Sequence, residues 1–565
     1  MTRTAPHSAA AATSFRREWL SPFLFSLLLS LLLVTPFFLF GTASGHDFEF
    51  HAPSWLDAAY QWKQGILYPR WTAWTNHGFG EPRFIFYPPL SWMLGAALSL
   101  VVPDAAIPVT FIVLVQTFAG LAAYALLRRL VCRRAALLGA SFYVVNPNAL
   151  LLSYIRSDFA EQLACAFLPL LFLMTLRLCE LFDDPEPRGP ALPLFSLVFA
   201  ALWLCNAPAA VIATYSASFL MAWTVISRRS PRIAGRCFAA LLLGFGLAAF
   251  YIVPAAYEQR WVNIGQALSS GLLPVQNFLF TSIDDVEHTW FNWIASICTL
   301  SLILLAAVAA LASRRFSRPG QENRRVALAL LALAAVATFL TVRWSAPLWE
   351  LLPKLRFVQF PWRWISALAV LACCFLGFVL EKRRGWMWFA ALLFLSLPLA
   401  YFLGINTWWD EDEMSIQRDA LVSEHGFDGT DEYDPLGDDH SALPADAPLV
   451  KVLPVDSGEK AAQKAAIEIE TWTTESKRIR VNTPTSARVA LRLLNYPAFD
   501  VNVNGRAIRP ERMDDFNQMV VPIAPGASEI HVQFTRTADR KIGNAASLLS
   551  GGIFVLLLWR RRRRD

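Results

Sequence analysis

Asp47, Glu49 and His51 stand at alternate positions just after the first apolar run long enough to cross a membrane. Two carboxylates and an imidazole could bind a divalent cation, and Asp47 alone could act as a general base or stabilise a developing charge. The alternative is an interfacial carboxylate that caps the N-terminus of a helix. Aromatic residues and prolines follow in the same loop, 42–105, which is therefore the leading candidate for an active site.

A second group of ionisable residues lies between two later apolar runs, in the stretch Arg156-Ser157-Asp158-Phe159-Ala160-Glu161. Three charges within six residues at membrane depth are costly unless they pair with one another or serve a site. Asp158 is therefore a second candidate acid. The structural alternative is an ion pair from Arg156 to Asp158 or Glu161 that joins two helices.

Cations alternate with aromatic residues in the segment from Lys354 to Trp364, which contains Arg356, Gln359 and Arg363. Guanidinium groups bind phosphate bidentately, so this segment suits a phosphate or pyrophosphate headgroup. An aromatic belt with snorkelling cations at the membrane surface would have a similar composition.

The elements that position these residues are membrane helices. The 565 residues are 55% hydrophobic and 13% aromatic, which leaves too little polar surface for a soluble globule. About 20 helical residues cross a hydrocarbon core of about 30 Å. The sequence thus predicts a polytopic α-helical membrane protein with about 12 spans, near residues 20–41, 106–127, 135–153, 160–179, 190–206, 208–226, 237–257, 291–313, 326–342, 364–380, 386–404 and 543–559.

The apolar run 88–102 decides the orientation of the chain. If this run lies along the outer interface as an amphipathic or re-entrant helix, every basic cluster falls on the cytoplasmic side, in agreement with the positive-inside rule. Both termini are then cytoplasmic, and Asp47, Asp158 and the segment 405–540 face the extracytoplasmic side of the cell inner membrane. The first run is expected to be an uncleaved anchor, although Thr42-Ala43-Ser44 would also suit the cleavage of a signal peptide. The basic clusters are Arg16 and Arg17, Arg128 to Arg134, Arg228 to Arg236, Arg314 to Arg325, Lys382 to Arg384, and Arg560 to Arg564.

Several classes of protein are excluded. None of the eight cysteines lies in the segment 405–540, so neither a disulfide framework nor a zinc site is expected there. The net charge of +6 comes largely from basic clusters beside apolar spans, which indicates orientation and contact with the lipid bilayer, not nucleic acid. The sequence contains neither a P-loop nor a Rossmann glycine fingerprint, so no nucleotide is expected as donor.

The segment 405–540 differs from the spans. Its first part, 405–446, carries thirteen acids against one base, which predicts a solvated connection; a calcium site is the alternative. Short alternating runs between Ala466 and Phe534, with an Asn504-Gly505 turn, predict a small β-sandwich. The expected domains are a transmembrane domain 1–404 with the interfacial helix 88–102, this extracytoplasmic segment 405–540, and a final span with a basic cytoplasmic tail, 541–565.

Six short elements carry a resemblance to a known family. They are Gly45-His46-Asp47, Tyr68-Pro69-Arg70-Trp71, Gly78-Phe79-Gly80, Phe86-Tyr87-Pro88-Pro89-Leu90, Arg156-x-Asp158-Phe159-Ala160-Glu161 and Gln359-Phe360-Pro361-Trp362-Arg363. Over roughly residues 20–400 the chain resembles the bacterial membrane family labelled 6-pyruvoyl-tetrahydropterin synthase-related, although no pterin chemistry is visible in it. That family is similar to the GT-C superfamily of glycosyltransferases, whose members take sugars from polyprenyl-phosphate donors.

The resemblance implies inverting glycosyl transfer at the outer face, from a polyprenyl-phosphate-linked sugar to an envelope glycan, lipid or protein. Asp47 would orient or deprotonate the acceptor hydroxyl, and Asp158 would support it or share a divalent cation with it. Relatives in that superfamily often carry adjacent acids in the first loop, whereas Glu49 is one residue removed, so the resemblance does not fix whether a cation takes part.

The resemblance also implies cations that neutralise the charge of a lipid monophosphate leaving group. These are Arg363 and Arg356, with Arg70 or Arg156. Tyr87 and Trp71 would stack on a sugar ring or hold the polyprenyl chain, and interfacial anchoring is the alternative for both. A different class of function stays open: a transporter or flippase for lipid-linked sugars, or an accessory subunit of an envelope-polymer machine, although neither paired discontinuous helices nor inverted halves stand out in the sequence.

Overall fold

A computed structural model of the protein describes residues 7–182, 191–316, 321–382, 385–423, 426–437, 443–454, 465–513 and 516–562. The described chain is mainly helical as far as Ile405, rich in strands from Val450 to Phe534, and helical again from Ala538. Parts of the predicted basic clusters and of the acidic segment fall outside these ranges, namely Arg318, Arg383, Arg384, Glu424, Asp438, Asp439, Arg563 and Arg564.

Short and long helices alternate through the first two thirds of the chain. The helices up to Glu258 are α1 (His7–Leu33), α2 (Thr35–Phe40), α3 (Phe48–Lys63), α4 (Arg83–Phe86), α5 (Pro89–Ser99), α6 (Ile107–Leu127), α7 (Arg133–Val144), α8 (Pro147–Leu150), α9 (Phe159–Leu178), α10 (Ala191–Cys205), α11 (Ala207–Arg228), α12 (Pro231–Leu247) and α13 (Ala249–Glu258). The later ones are α14 (Val286–Phe316), α15 (Gln321–Leu340), α16 (Ala346–Leu351), α17 (Ile365–Leu380), α18 (Gly385–Ile405), α19 (Glu413–Val422) and α20 (Ala538–Arg562).

Eight of the described helices are long and apolar enough to cross a membrane, or up to ten if each of two bent pairs counts as one span. The bent pairs join α12 to α13 and α15 to α16, with turns of 74° and 92°. The predicted spans 190–206 and 386–404 coincide with shorter apolar stretches, Ala191–Cys205 and Ser396–Ile405. A multi-pass membrane protein is confirmed, whereas the predicted number of spans, about 12, is not.

The apolar run 88–102 forms the short helix α5. Its 11 residues extend about 16 Å at 1.5 Å per residue, which is half of what a span needs. α5 packs against α3 and α6, and at the contact with α3 a Cβ on Gly95 would lie 2.3 Å from the ring of Trp55. The close approach of α3 to α5 therefore depends on glycine.

The strand-rich region contains two antiparallel sheets. Its strands are β3 (Val450–Pro454), β4 (Ala466–Trp472), β5 (Ser476–Thr483), β6 (Ala487–Leu494), β7 (Phe499–Val503), β8 (Arg506–Ile508), β9 (Glu511–Arg512), β10 (Gln518–Ile523) and β11 (Gly526–Phe534). One sheet has the order β3-β6-β10-β9 and the other the order β4-β5-β11-β7-β8. The predicted Asn504-Gly505 turn joins β7 to β8 with positive φ at both residues, 52° and 76°, as a type I′ hairpin requires.

The strand-rich region packs on the loop 42–105, here called the first loop. Trp71, Phe79 and Phe86 belong to the same buried cluster as the inner faces of the two sheets. A buried ion pair fixes the other side, because Arg540 at the start of α20 donates to both carboxylate oxygens of Glu258 at 2.7 and 2.8 Å. The sheets are thus held on the helical bundle by apolar contacts and by charge.

The acidic segment 405–446 contains the helix α19 and pairs with an earlier strand, so it is more than the loop-like connection that its charges predict. Most of its described acids are exposed or partly exposed, as expected for a solvated segment. β1 (Thr42–Ala43) pairs with β2 (Trp409–Asp410). Glu81 is fully buried and accepts hydrogen bonds from both the amide and the hydroxyl of Thr430. Contacts with the first loop stabilise the segment, which a count of its charges does not reveal.

Candidate functional site

A cleft of about 560 Å³ opens between the ends of several membrane helices and the folded acidic segment. Six of the predicted site residues line it: Asp47, Tyr87, Arg156, Asp158, Gln359 and Arg363. Most of the other lining residues are apolar, among them Phe50, Phe86, Pro208, Leu272, Phe291, Phe357 and Phe360.

Gly45 allows the first loop to approach the break between two helices, the one that ends at Arg156 and α9. A Cβ at Gly45 would lie 2.3 Å from the carbonyl oxygen of Ile155, so only glycine permits this approach. Ser157, in the left-handed conformation with φ of 51°, donates its hydroxyl to the carbonyl of Ala43 at 2.7 Å and accepts the amide of Gly45 at 3.0 Å. These contacts place Asp47 beside the start of α9.

Asp47 immediately precedes α3, yet its carboxylate makes no capping hydrogen bond to that helix, so the capping alternative is wrong. The carboxylate instead accepts a hydrogen bond from Nη2 of Arg156 at 2.7 Å, and the Asp47 amide donates to the carbonyl of the same arginine at 2.8 Å. The side chain of Asp47 is 35% exposed. Asp47 is therefore both fixed in position and open to the cleft.

Arg156 holds three carboxylates at once. Besides Asp47, its Nη2 lies 2.9 Å from Oδ2 of Asp158, and its Nη1 donates to Oε2 of Glu161 at 2.5 Å. Arg156 is 2% exposed and ends a short π-helical turn, Leu151–Arg156. The ion pair expected between these residues is thus confirmed, and it lies in the wall of the cleft.

Asp158 is positioned more rigidly than Asp47. It caps the N-terminus of α9, where its Oδ1 accepts the amide of Glu161 at 2.8 Å, and the same oxygen lies 3.5 Å from Nε2 of His51. Burial alone would raise the pKa of the Asp158 carboxyl, but the charge of Arg156 and the contact with His51 hold it well below its usual range. A buried carboxylate with so low a pKa positions its neighbours and is a poor general base.

Arg363 places a second guanidinium at the cleft. Its Nε lies 3.1 Å from Oε2 of Glu161, and its Nη1 donates to the carbonyl of Val358 at 3.0 Å and to Oε1 of Gln359 at 3.2 Å. Gln359 in turn donates to the carbonyl of Ala267 at 2.8 Å. Arg363 is therefore held by several partners, and it also lines the cleft.

Tyr87 forms part of the aromatic wall. Its ring packs on Phe50 with centroids 4.5 Å apart, and on His51 at 5.8 Å. Burial raises the pKa of Tyr87 well above its ordinary value, so the phenol keeps its proton at neutral pH and can serve as a hydrogen-bond donor.

Three predicted site residues lie elsewhere. Arg356 is exposed, with its guanidinium 5.5 Å from the ring of Phe357. Trp71 is buried in the core beneath the two sheets, where it contacts Phe499 at 5.1 Å. Arg70 lines a separate pocket. Composition indicated arginine and tryptophan near a membrane surface, but only the fold decides which of them face the cleft.

The expected cation ligands Asp47, Glu49 and His51 are not brought together. Asp47 bonds to Arg156, the buried His51 faces Asp158, and Glu49 is exposed. No group of three or more His, Cys, Asp or Glu side chains suited to a metal ion occurs among the described residues. The alternation that suggested a ligand set is broken because α3 begins at Phe48, so these positions turn to different sides of a helix.

The sequence patterns did not single out several of the residues that line the cleft. Thr430, Glu432 and Tyr433 come from the acidic segment, and the ring of Tyr433 stacks on Phe86 with centroids 5.6 Å apart. His288, at the start of α14, also lines the cleft. An aromatic residue within a run of acids, such as Tyr433, was the available signal that part of this segment is buried.

No curated protein matches the chain at a significant level. The model of one protein family, described as the 6-pyruvoyl-tetrahydropterin synthase related domain and as a membrane protein, matches residues 84–409. The match includes Arg156, Asp158 and Arg363, whereas Asp47 precedes it. Because the match covers more than half of the 565 residues, the chain belongs to this family of membrane proteins.

Proposed function

We propose that the protein is a membrane glycosyltransferase that moves a sugar from a polyprenyl-phosphate donor to an envelope glycan, lipid or protein. The observation that carries the proposal is the setting of Asp47: a carboxylate open to a cleft, flanked by two guanidinium groups and surrounded by apolar walls. Charged groups within an apolar cleft suit a substrate with a polar head and a hydrocarbon tail.

The cleft offers separate surfaces to the two halves of such a donor. Phe357, Phe360 and Leu272 are among the apolar lining residues, and they suit an isoprenoid chain. Arg363 provides donors for the phosphate, because guanidinium binds phosphate oxygens bidentately. Thr430 and Glu432 add polar groups for a sugar or an acceptor hydroxyl.

In the proposed reaction the acceptor hydroxyl oxygen attacks the anomeric carbon from the face opposite the phosphate. The bond from that carbon to the phosphate oxygen breaks with its electron pair, so the lipid phosphate leaves as an anion and the configuration is inverted. Asp47 orients the hydroxyl and takes its proton. Arg363 stabilises the charge that develops on the leaving phosphate. Arg156 and Asp158 hold Asp47 in place.

The extracytoplasmic location is part of the proposal. α6 and α11 end at or beside arginines, Arg128 and Arg228, whereas the cleft lies at the opposite ends of the helices, where α9 and α11 begin. Basic residues favour the cytoplasmic side. This distribution supports a cleft and a strand-rich region outside the inner membrane, with both termini in the cytoplasm.

Transport of a lipid-linked sugar is a second candidate, and one observation favours it. Two apolar helix pairs, α12 with α13 and α15 with α16, bend by 74° and 92°. Discontinuous helices of this kind build the substrate sites of many transporters. The residues Ala255 and Gln259, at the end of α13, line the cleft, so a flippase would use the same cavity without breaking a bond.

A chromosomal Asp47→Asn replacement, at matched protein abundance, tests the enzyme proposal. Glu49→Gln is the control, since Glu49 is exposed and lies outside the lining of the cleft. We expect Asp47→Asn to remove one sugar from an envelope glycan and to accumulate its polyprenyl-phosphate donor, as measured by mass spectrometry, while Glu49→Gln matches the wild type.

If deletion of the gene alters the profile but Asp47→Asn does not, the catalytic role of Asp47 is refuted. Transport predicts a different pattern. If the protein is a flippase, its loss would leave the lipid-linked donor on the cytoplasmic side of the membrane, which faces outward in inverted vesicles. Detergent extracts supplied with donor and acceptor would then form no product, whether they come from the wild type or from the variant.

A further inference from the structure

A second pocket lies where the loop after α3 meets the strand-rich region and the last helix. It encloses about 490 Å³ and is here called the junction pocket. Its lining includes Leu67, Tyr68, Arg70, Phe250, Glu475, Arg536 and Asn544. None of the residues that hold Asp47 in the cleft lines this pocket.

Arg70 and Tyr68 leave two buried donors without partners. The guanidinium of Arg70 lies 4.3 Å above the ring of Tyr68, and this is its closest charged or aromatic contact among those the structure gives. Nη1 of Arg70 and the hydroxyl of Tyr68 are both buried, and neither has a hydrogen-bond partner in the described part of the chain. A buried donor without an acceptor is costly, so these two groups favour an anionic acceptor in the pocket.

The charges around the junction pocket leave an excess of positive charge. Arg540 is used by Glu258, with hydrogen bonds of 2.7 and 2.8 Å. Arg70 and Arg536 remain as lining cations, and Glu475 is the acid that lines the pocket with them. Two guanidinium groups thus face one carboxylate, which favours a bound anion.

The surroundings of the junction pocket are apolar on the membrane side. Asn544 belongs to α20, a candidate membrane span that begins at Ala538. Leu67 is 76% exposed and Ile542 is 63% exposed, and Phe250 lines the pocket itself. An anion that binds here would therefore have hydrocarbon beside it.

We propose that the junction pocket binds the phosphate group of a membrane lipid. Arg70 donates to two phosphate oxygens in the bidentate manner of guanidinium, and the Tyr68 hydroxyl donates to a phosphate oxygen as well. Arg536 adds positive charge beside them. The acyl or isoprenoid chains lie against Leu67 and α20. This site is independent of the proposed glycosyl transfer, because it lies outside the cleft.

The test measures thermal unfolding of the full-length protein in detergent during titration with defined lipids. The probes are dioleoylphosphatidylglycerol, undecaprenyl phosphate and inorganic phosphate. The variants are Arg70→Gln and Tyr68→Phe, and the control is Arg506→Gln, which removes an exposed arginine from β8.

We expect at least one lipid phosphate to stabilise the wild type and the control, and its apparent affinity to fall about tenfold or more in Arg70→Gln, since hydrogen bonds to charged groups are strong. Without lipid, Arg70→Gln should change the unfolding temperature little, because Nη1 of Arg70 has no hydrogen-bond partner among the described residues. Tyr68→Phe should lower the affinity less, and it keeps the test valid if Arg70→Gln folds poorly.

The lipid that stabilises the protein identifies the source of the phosphate, either a bulk anionic phospholipid or a lipid carrier. Equal stabilisation by inorganic phosphate alone would overturn the assignment to a lipid. Unchanged lipid affinity in both Arg70→Gln and Tyr68→Phe would overturn the site.

Discussion

Nη2 of Arg156 lies 2.7 Å from Oδ2 of Asp47, a contact between residues that are 109 positions apart in the chain. The same guanidinium contacts Asp158 and Glu161, so one buried cation organises both of the acids that the sequence singles out. Asp47 is the more exposed of the two, at 35% against 3% for Asp158. This difference separates the expected roles: Asp47 meets the substrate, and Asp158 holds Asp47 through Arg156.

Replacement of Arg156 should cost far more stability than replacement of Asp47. Arg156→Gln leaves the buried carboxylates of Asp158 and Glu161 short of a partner, which typically costs about 3 to 5 kcal/mol. Asp47→Asn keeps an acceptor for Arg156 at a partly exposed position, and we expect a loss of about 1 kcal/mol or less. Unfolding of the purified variants in detergent measures both values. Equal losses would contradict the view that Arg156, not Asp47, anchors the cluster.

Local patterns in the sequence predicted several of the strands and offered the pairing of charges around Arg156 as one of two alternatives. Alternating residues marked β5, β6, β7 and β11, because one face of each strand is buried in the same core. The charges between 156 and 161 were expected either to pair or to serve a site, because they lie at membrane depth. Both inferences rest on neighbours in the chain or on the cost of burial.

The inferences that failed concern contacts between distant segments. Trp71 and Arg70 follow one another in the chain, yet Trp71 enters the core of the strand-rich region and Arg70 lines the junction pocket. The acidic segment is held by Glu81 and by the hydrogen bond from Nδ2 of Asn76 to Asp434 at 2.9 Å. Charge counting cannot foresee these contacts, since the partners lie about 350 residues apart in the chain.

Asp57 should make the stability of the protein fall as the pH rises. It is fully buried in α3, where it accepts hydrogen bonds from Gln61 at 2.8 Å and from the amide of Ala73 at 2.7 Å. Burial raises the pKa of Asp57 from 3.8 to about 6. The folded protein therefore binds the proton more tightly than the unfolded chain, and the stability present below pH 3.8 is lost as the pH rises through 6.

Asp57→Asn removes this titration. The free energy of unfolding of the wild type, relative to the variant, should fall by at most about 3 kcal/mol between pH 4 and pH 7. Any change in the hydrogen bonds to Gln61 and Ala73 adds an offset that is independent of pH. Denaturant unfolding at several pH values gives the difference in the free energy of unfolding. A constant difference across this range would show that the pKa of Asp57 is not raised in the folded state.

Gly80 should tolerate no side chain, for a steric reason. A Cβ there would lie 2.0 Å from Nε1 of Trp71 and 2.5 Å from the carbonyl oxygen of Thr72. Gly505 is the matched control, because its φ is also 76° but nothing lies within 4 Å of its Cβ position. We expect Gly505→Ala to cost about 1 to 2 kcal/mol from backbone strain, and Gly80→Ala to exceed this by several kcal/mol.

Thermal unfolding of the two glycine variants tests this expectation. Similar losses for Gly80→Ala and Gly505→Ala would mean that the loop around Trp71 moves aside at little cost. In that case the first loop is held less firmly on the strand-rich region than its buried contacts indicate.

Arg363 should not be replaceable by lysine if it binds a phosphate. The guanidinium bonds at the same time to Glu161, to the carbonyl of Val358 and to Gln359, and a lysine ammonium cannot keep this geometry while it presents two donors to a ligand. Loss of a charge-stabilising donor typically lowers turnover about 100-fold or more. We therefore expect Arg363→Lys to abolish the addition of the envelope sugar that is proposed for the wild-type protein. Arg356→Lys, at an exposed position outside the cleft, should leave that addition intact.

Envelope glycan profiling of both variants at equal abundance measures the effect. A normal profile for Arg363→Lys would contradict the assignment of the phosphate to this end of the cleft. Equal defects in both variants would indicate a general effect of replacing arginine.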